Sequence, residues 1–256
     1  MFQFDDSKII QSIDMKKSLY IVTGCSRGLG KALVDQLLLS GENLVVGLSR
    51  SEMEERENLL HFNIDLGDTE LLVSQLDRFF PEDEFENFFL INNAGWLGEI
   101  AHLGRLDPVN IKKIHAVNVI APAVLMNEFV KRYQKKQGTK IVVNISSGAA
   151  QNAMDGWSGY CSSKAALNQM SRVAEEESKL KKLGIKYYAL SPGIIDTAMQ
   201  QQIRSSDKEG FSNIEKFKSY KSDRHLKTPE EVAAKIIYLM EHSDKFKDVL
   251  QDVREF

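Results

Sequence analysis

Three residues in one stretch of this chain, Ser147, Tyr160 and Lys164, have the types and spacing needed to protonate a carbonyl oxygen. Tyr160 and Lys164 are four residues apart, so on a helix they share one face, one turn from each other. A free phenol has a pKa of ~10, and a nearby ammonium lowers that pKa by favouring the phenolate. The Ser147 hydroxyl, at the end of an apolar run, can hold the same oxygen. The three residues predict general acid catalysis on a carbonyl compound.

A glycine-rich turn after the first predicted strand supplies a cofactor site for this chemistry. Such a site is needed, because a Tyr-x-x-x-Lys pair alone is common on surface helices. The spacing is Gly-x3-Gly-x-Gly, which allows a tight turn, close approach to phosphate and close helix–strand packing. The following helix directs free N–H groups and its positive dipole end at a pyrophosphate. The predicted contacts in this turn are Gly24, Ser26, Arg27, Gly28, Leu29 and Gly30.

The second predicted strand ends in Ser49 and Arg50 rather than in an acidic residue. An acid at this place binds the ribose 2′-hydroxyl of NAD, whereas an arginine accommodates the 2′-phosphate of NADP. Arg27 in the glycine turn adds a second guanidinium, and two guanidiniums with a serine suit a 2′-phosphate. The predicted cofactor is therefore NADP(H). Glu52 and Glu54 lie nearby and oppose this interpretation, and solvated surface charges are the alternative role for the two arginines.

Seven short apolar runs alternate with helical patterns along the chain, which predicts βαβ units and a parallel sheet. The fold class is thus a single Rossmann-type, doubly wound α/β domain over residues 15–256, with helices on both faces of the sheet. The predicted strands are Leu19–Thr23, Leu44–Leu48, Leu60–Asn63, Phe88–Asn92, Lys140–Ile145, Ile185–Leu190 and Val249–Val253. Residues 1–14 are interpreted as an extension outside the fold. The polar stretch 196–227 follows a strand end, which favours a substrate lid over a surface excursion.

Composition limits the classes of function that this chain of 256 residues can have. It is 43% hydrophobic and 27% charged, with a formal net charge of −3, so no basic field indicates nucleic acid. The longest apolar runs are too short to span a bilayer. Two cysteines form no disulfide framework and fit a reducing cytoplasm. Five histidines show no metal-ligand spacing. We expect a soluble cytoplasmic protein with no metal, no nucleic-acid partner and no membrane.

The motifs together resemble the short-chain dehydrogenase/reductase family over essentially all of residues 15–256. The resemblance depends on the glycine turn, on Tyr160-x3-Lys164 and on Ser147, thirteen residues before Tyr160. It implies that Tyr160 is the general acid, that Lys164 holds the nicotinamide ribose and lowers the Tyr160 pKa, and that Ser147 binds the substrate oxygen. It also implies that Asn118 anchors a water linking Lys164 to solvent. The further cofactor contacts that it implies are Asp65, Leu66, Asn92, Asn93, Ala94, Gly95, Pro192, Gly193, Ile195 and Thr197.

Several of these implied residues have simpler alternative roles. Asp65 is also explained as a helix cap, Asn118 as a hydrogen-bonded residue inside a helix, and Pro192–Gly193 as a turn that ends a strand.

Within the family, the segments around Trp157 and over Pro192–Gln200 resemble sepiapterin reductases and the bacterial benzil reductases that form (S)-benzoin. This resemblance implies an NADPH-dependent reductase of an aromatic or α-dicarbonyl substrate. Trp157 and Met199 would give the substrate a flat apolar wall, and Asp252 would anchor it. Core packing is an equally good role for Trp157 and Met199, as is a surface position for Asp252.

Two other functional classes stay open on the sequence alone. One is reduction of a different carbonyl substrate, such as a 3-ketoacyl thioester, a sugar or a steroid. The other is a non-catalytic NADP(H)-binding regulator, although such proteins typically lose the Tyr or the Lys. The family resemblance also implies a homodimer.

Overall fold

The computed structural model of the chain describes residues 17–222 and 226–256. These residues contain a seven-stranded sheet in the order β3-β2-β1-β4-β5-β6-β7, in which all neighbours are parallel. The strands are β1 (Ser18–Thr23), β2 (Asn43–Ser49), β3 (Leu59–Asn63), β4 (Asn87–Asn92), β5 (Thr139–Ile145), β6 (Ile185–Ser191) and β7 (Leu250–Asp252). Every strand end lies within one residue of its predicted position, which confirms the predicted fold. The predicted extension, 1–14, lies outside the described residues.

Helices connect these strands. They are α1 (Gly28–Leu37), α2 (Thr69–Ser74), α3 (Leu76–Phe79), α4 (Pro108–His115), α5 (Ala121–Tyr133), α6 (Ser158–Lys181), α7 (Ala198–Arg204), α8 (Ile214–Ser222) and α9 (Pro229–Glu241). A π turn, Ala116–Ile120, joins α4 to α5, and a 3-10 turn, Gly148–Ala150, follows β5. The joined helix Pro108–Tyr133 is long and apolar enough to cross a membrane by length and composition alone. Its residues Leu125 and Phe129 are fully buried in the protein core, so it packs as a core helix.

Each face of the sheet has its own apolar core. On one face α1 and α9 cover the strands, with Leu33 and Ile236 fully buried. On the other face α5 contributes Phe129. Successive strand residues point to opposite faces, so Val22 of β1 belongs to the first core and Ile21 to the second. Burial on both faces explains why the strands appear in the sequence as continuous apolar runs.

The strand order reverses at β1, which lies between β2 and β4. In a doubly wound sheet, ligands bind in the crevice outside the carboxyl ends of the strands at such a reversal. The glycine turn leaves the carboxyl end of β1, and Ser147 follows the carboxyl end of β5. The topology therefore brings the predicted cofactor turn and the predicted catalytic serine to the same edge of the sheet.

Candidate active site

The glycine turn between β1 and α1 is closely packed. Gly24 has a φ of +66°, and a Cβ on Gly30 would lie 2.1 Å from the Gly24 carbonyl oxygen. Neither position therefore accepts a side chain without a shift of the backbone. Arg27 precedes α1 and its side chain forms no capping hydrogen bond. The first N–H groups of an α-helix have no intrahelical partner, and in the described part of the chain the Arg27 side chain does not supply one. This cradle of free N–H groups fits a pyrophosphate.

The end of β4 holds this turn in place. Asn93 Nδ2 donates to the carbonyl oxygens of Thr23 and Gly24, at 2.9 and 3.2 Å. The Ala94 N–H donates to Thr23 Oγ1 at 2.9 Å. The Asn93 side chain therefore supports the glycine turn. The predicted contact of this segment with the adenosine would then be made by its backbone and by Ala94.

Two other predicted adenosine residues also form hydrogen bonds within the protein. Asn92 is buried, and its Nδ2 donates to Asn144 Oδ1 of the neighbouring strand at 2.8 Å. Asp65 Oδ1 accepts from the Gly67 N–H at 2.9 Å, and its Oδ2 lies 3.9 Å from Lys113 Nζ. Asp65 is half-exposed and remains available to a ligand, whereas Asn92 braces β4 against β5. Neither caps a helix through its side chain.

Of the three residues predicted to bind a 2′-phosphate, the two arginines have no ion-pair partner in the described residues, whereas the serine is hydrogen-bonded within the protein. Arg27 and Arg50 are exposed, and neither forms an ion pair with a residue in the described ranges. The Ser49 hydroxyl instead donates to the Ser51 carbonyl oxygen and contacts His61 Nε2, both at 2.8 Å. The Ser49 hydroxyl hydrogen is thus already used within the protein and is not free for the predicted phosphate contact. Burial lowers the pKa of His61, and no motif or spacing indicated this histidine as a partner of Ser49.

The structure brings the predicted catalytic residues together. Tyr160 and Lys164 lie near the start of α6, and both are buried. Ser147 lies beside Tyr160, and its side chain acts to lower the pKa of the Tyr160 phenol. Lys164 Nζ lies 5.8 Å from the centre of the Tyr160 ring and donates to the Ile145 carbonyl oxygen at 2.8 Å. A hydroxyl pair and a buried amine therefore share one site at the end of β5.

Burial controls the protonation of this pair. It raises the pKa of Tyr160 from 10.0 to about 12, although the nearby Ser147 side chain acts in the opposite direction. It lowers the pKa of Lys164 from 10.5 to about 8. We expected from the sequence that the pKa of Tyr160 would be lowered, whereas in the protein by itself it is raised. The physical reason is desolvation, which disfavours a buried phenolate and a buried ammonium alike.

Asn118 lies in the π turn and is almost fully buried. Its Oδ1 accepts from the Trp96 N–H at 2.8 Å, and its Nδ2 donates to the Trp96 carbonyl oxygen and to Ser163 Oγ at 2.9 and 3.0 Å. Both amide hydrogens are thus engaged. The predicted water would therefore have to donate to the second lone pair of Asn118 Oδ1. A Cβ on Gly95 would lie 3.4 Å from Lys164 Nζ and 3.9 Å from Asn118 Oδ1. Gly95 therefore lies where these two side chains approach each other.

A cleft of about 510 Å³ opens beside the Tyr160 side chain. Its walls come from the ends of β5 and β6, the start of α6 and the helices α7 and α8. The predicted site residues that line it are Ser147, Trp157, Tyr160, Pro192, Gly193, Ile195, Thr197 and Met199. The two segments predicted for nicotinamide and substrate therefore face one space. Leu66, by contrast, is buried in the core.

The stretch predicted as a lid contributes much of this cleft. Within residues 196–222, α7 and α8 supply Gln200 and Phe217 to the wall, whereas 223–225 lie outside the described residues. Asp155, just before α6, fixes this stretch by accepting hydrogen bonds from the Ser212 N–H and hydroxyl, each at 2.8 Å. Gly156 has a φ of +74°, and a Cβ there would lie 2.2 Å from the Gly210 carbonyl oxygen. The loop before α6 is therefore in close backbone contact with residues 196–222.

Asp252 is placed differently from the prediction. Its carboxylate accepts from Arg254 three times, from N–H at 2.9 Å, Nε at 2.8 Å and Nη2 at 2.6 Å. These hydrogen bonds lower the pKa of Asp252 and occupy the predicted substrate anchor. Arg254, not Asp252, lines the cleft. Sequence reasoning missed Arg254 because nothing in the spacing of the last strand distinguishes it from a surface arginine.

These elements form a dinucleotide-binding α/β domain with a potential proton donor at its cleft. Residues 18–208 match the sequence model of the family described as short chain dehydrogenase. The chain belongs to this family of oxidoreductases, which use a nicotinamide cofactor.

Known relatives extend over most of the chain. A benzil reductase ((S)-benzoin forming) from Bacillus subtilis is 36% identical over 242 residues, which cover 93% of this chain and 99% of that protein. Sepiapterin reductase from Mus musculus is 31% identical over 223 residues, covering 78% of this chain and 83% of that protein. The crystal structure of a short chain dehydrogenase/reductase from Saccharomyces cerevisiae aligns with a TM-score of 0.78 at 25% identity, covering 93% of this chain and 96% of that one. The predicted resemblance to benzil and sepiapterin reductases is confirmed.

Proposed function

We propose that the protein reduces a carbonyl group of an aromatic or α-dicarbonyl compound with NADPH, and that Tyr160 donates the proton. The observation that carries this proposal is the pair of hydroxyls, Ser147 and Tyr160, on the wall of one cleft that also has aromatic lining. The names of two relatives support the substrate class, since benzil is a 1,2-diketone and sepiapterin carries an acyl side chain beside an imine-like ring carbon.

The cofactor would be held at its pyrophosphate by the glycine turn and α1, and at its nicotinamide end by Pro192, Gly193, Ile195 and Thr197. Bound there, the nicotinamide supplies a hydride. Tyr160 donates its hydroxyl proton to the substrate oxygen. Ser147 donates a hydrogen bond to the same oxygen and stabilises the negative charge that develops on it. The Lys164 ammonium favours the phenolate that remains on Tyr160.

The preference for NADPH is supported by the two exposed arginines, Arg27 and Arg50, which have no carboxylate partner in the described ranges. A 2′-phosphate would provide such a partner. We also propose a cytoplasmic homodimer that binds neither nucleic acid nor membrane. The net charge of −3 opposes the nucleic-acid role, and exposed apolar residues on the α4–α6 helices support the dimer.

The test of this function is Tyr160→Phe, which removes the acid and keeps the ring. We expect turnover to fall by roughly 10²- to 10⁴-fold, while NADPH still binds with unchanged affinity in a fluorescence titration. Tyr238→Phe, far along the chain in α9, serves as the matched control and should keep full activity. Retention of more than a few per cent of activity by Tyr160→Phe would contradict the assignment.

A panel of carbonyl substrates separates the proposed function from its alternatives. NADPH oxidation is measured with benzil, 1-phenyl-1,2-propanedione, sepiapterin and a 3-ketoacyl thioester. Turnover of the first three above the thioester is expected. Preference for the thioester would indicate an acyl-chain reductase, and tight NADPH binding without turnover of any carbonyl would indicate a regulator.

A further inference from the structure

The indole N–H of Trp157 is a buried hydrogen-bond donor without a partner. Trp157 is 4% exposed, and its Nε1 has no hydrogen-bond partner in the described part of the chain. Unpaired buried donors are rare in proteins, because burial removes the water that would satisfy them. Trp157 lines the same cleft as Tyr160, and the two ring centres are 5.5 Å apart. This placement points to an acceptor that a bound ligand supplies.

The orientation of the Trp157 ring is fixed by residues 196–222. Phe211 stacks on it with ring centres 4.9 Å apart and planes 6° apart, and Phe217 lies 5.4 Å away. One face of the indole is thus already covered by protein. If Trp157 were only a flat apolar wall for the substrate, its unpaired N–H would have no explanation. A ring held in one orientation can donate that N–H to a ligand at little cost in entropy.

A second unpaired polar atom belongs to another residue that lines the cleft. Gln200 of α7 is 8% exposed and lines the cleft, and its Oε1 has no hydrogen-bond partner in the described residues. Its amide can present either the oxygen or, turned over, an N–H group. Two unpaired polar groups, on separate residues that line one cleft, indicate a ligand with polar atoms besides the reacting carbonyl.

We propose that the Trp157 indole N–H donates to the second carbonyl oxygen of a 1,2-dicarbonyl substrate, and so selects dicarbonyls over simple ketones. The inference rests on the proposed function, in which Tyr160 and Ser147 hold the first oxygen. In a 1,2-dicarbonyl the second oxygen is on the adjacent carbon, and Trp157 is the aromatic neighbour of Tyr160 in the cleft. A site built to donate to such an oxygen discriminates against an analogue that lacks it, because its donor is then left unpaired.

The kinetic test compares 1-phenyl-1,2-propanedione with the two ketones that lack one of its carbonyls, 1-phenyl-1-propanone and 1-phenyl-2-propanone. The variant Trp157→Phe keeps an aromatic ring and loses the N–H. We expect its kcat/KM for the diketone to fall about tenfold, with a change of no more than about threefold for either ketone. Phe211→Leu, which loosens the aromatic packing and keeps the N–H, is the matched control and should affect all three substrates alike.

The outcomes of this comparison are distinct. An equal loss for all three substrates in Trp157→Phe would make Trp157 a packing residue and overturn the inference while the reductase stands. Wild-type protein that reduces none of them with NADPH or NADH would instead refute the proposed function, and the inference with it.

A second measurement observes the N–H directly and does not require Trp157→Phe to fold. The chain has two tryptophans, so its ¹H–¹⁵N spectrum contains two indole signals, which Trp96→Phe assigns. In the inactive Tyr160→Phe protein with NADP(H), saturating 1-phenyl-1,2-propanedione should move the Trp157 indole proton downfield, and 1-phenyl-1-propanone should not. An unmoved signal at saturation would overturn the inference, whereas the chemistry at Tyr160 would be unaffected.

Discussion

At the scale of single residues, the acid strength of Tyr160 is determined by what surrounds it and not by its spacing from Lys164. Burial raises its pKa to about 12, so the phenol stays protonated across neutral pH, as a proton donor must. The same burial lowers the pKa of Lys164 to about 8, so its ammonium is largely lost as the pH rises above that value. Below it, the ammonium is present to favour the phenolate that proton donation leaves behind. Both shifts reflect the enclosure of the site, which the sequence does not show.

We expect the preference between NADPH and NADH to depend on two side chains, Arg27 and Arg50. The double variant Arg27→Ala, Arg50→Ala should weaken NADPH binding by roughly 10- to 100-fold, because hydrogen bonds to charged groups contribute ~1.5–3 kcal/mol. NADH lacks the 2′-phosphate, so its affinity should change by no more than about threefold. Fluorescence titration with each cofactor measures both values. Arg172→Ala, an exposed arginine of α6, should change neither, and equal losses for the two cofactors in the double variant would refute the 2′-phosphate assignment.

At the scale of elements, the strands and the glycine turn were predictable, because their signals are local. Apolar runs located every strand, and glycine spacing located the turn. The pairing of Asp252 with Arg254, of Ser49 with His61 and of Trp157 with Phe211 was not predictable. Each depends on side-chain orientation, and the last two join separate elements. Motifs therefore predicted which residues form the candidate site, and packing determined which of their polar groups remain free.

The glycine turn is packed so closely that one added methyl group should disturb it. Gly30→Ala places a Cβ 2.1 Å from the Gly24 carbonyl oxygen and 2.5 Å from Asn93 Nδ2. The turn must then move, which should lower the free energy of unfolding by about 1–3 kcal/mol and weaken nucleotide binding. Gly41→Ala is the matched control, since a Cβ there meets nothing within 4 Å, and its effect should stay within about 0.5 kcal/mol. Urea unfolding measures both, and equal stabilities of the two variants would show that the turn is not tightly packed.

At the scale of the whole molecule, the sheet and the residues over its edge have different roles. Two apolar cores hold the seven strands, whose edge carries the glycine turn. A third cluster, smaller and aromatic, joins Trp157 and Tyr160 of the candidate site to Phe211 and Phe217. The cleft therefore lies between the edge of the sheet and a separately packed cover, residues 196–222. We infer that the chemistry belongs to the sheet edge and that discrimination between substrates belongs to the cover.

The assembly of the whole molecule is open to a direct test. The α4–α6 helices expose apolar side chains, among them Ile120 and Val173, which a two-fold partner would cover. We expect a dimer, with twice the chain mass of 29.0 kDa, in light scattering or sedimentation velocity. Ile120→Glu combined with Val173→Glu should give a monomer, because each places a charge in an apolar contact. Leu39→Glu, at an exposed site just after α1, should remain dimeric. A monomeric wild-type protein at micromolar concentration would contradict the prediction, and a dimer that survives the double substitution would place the contact on another face.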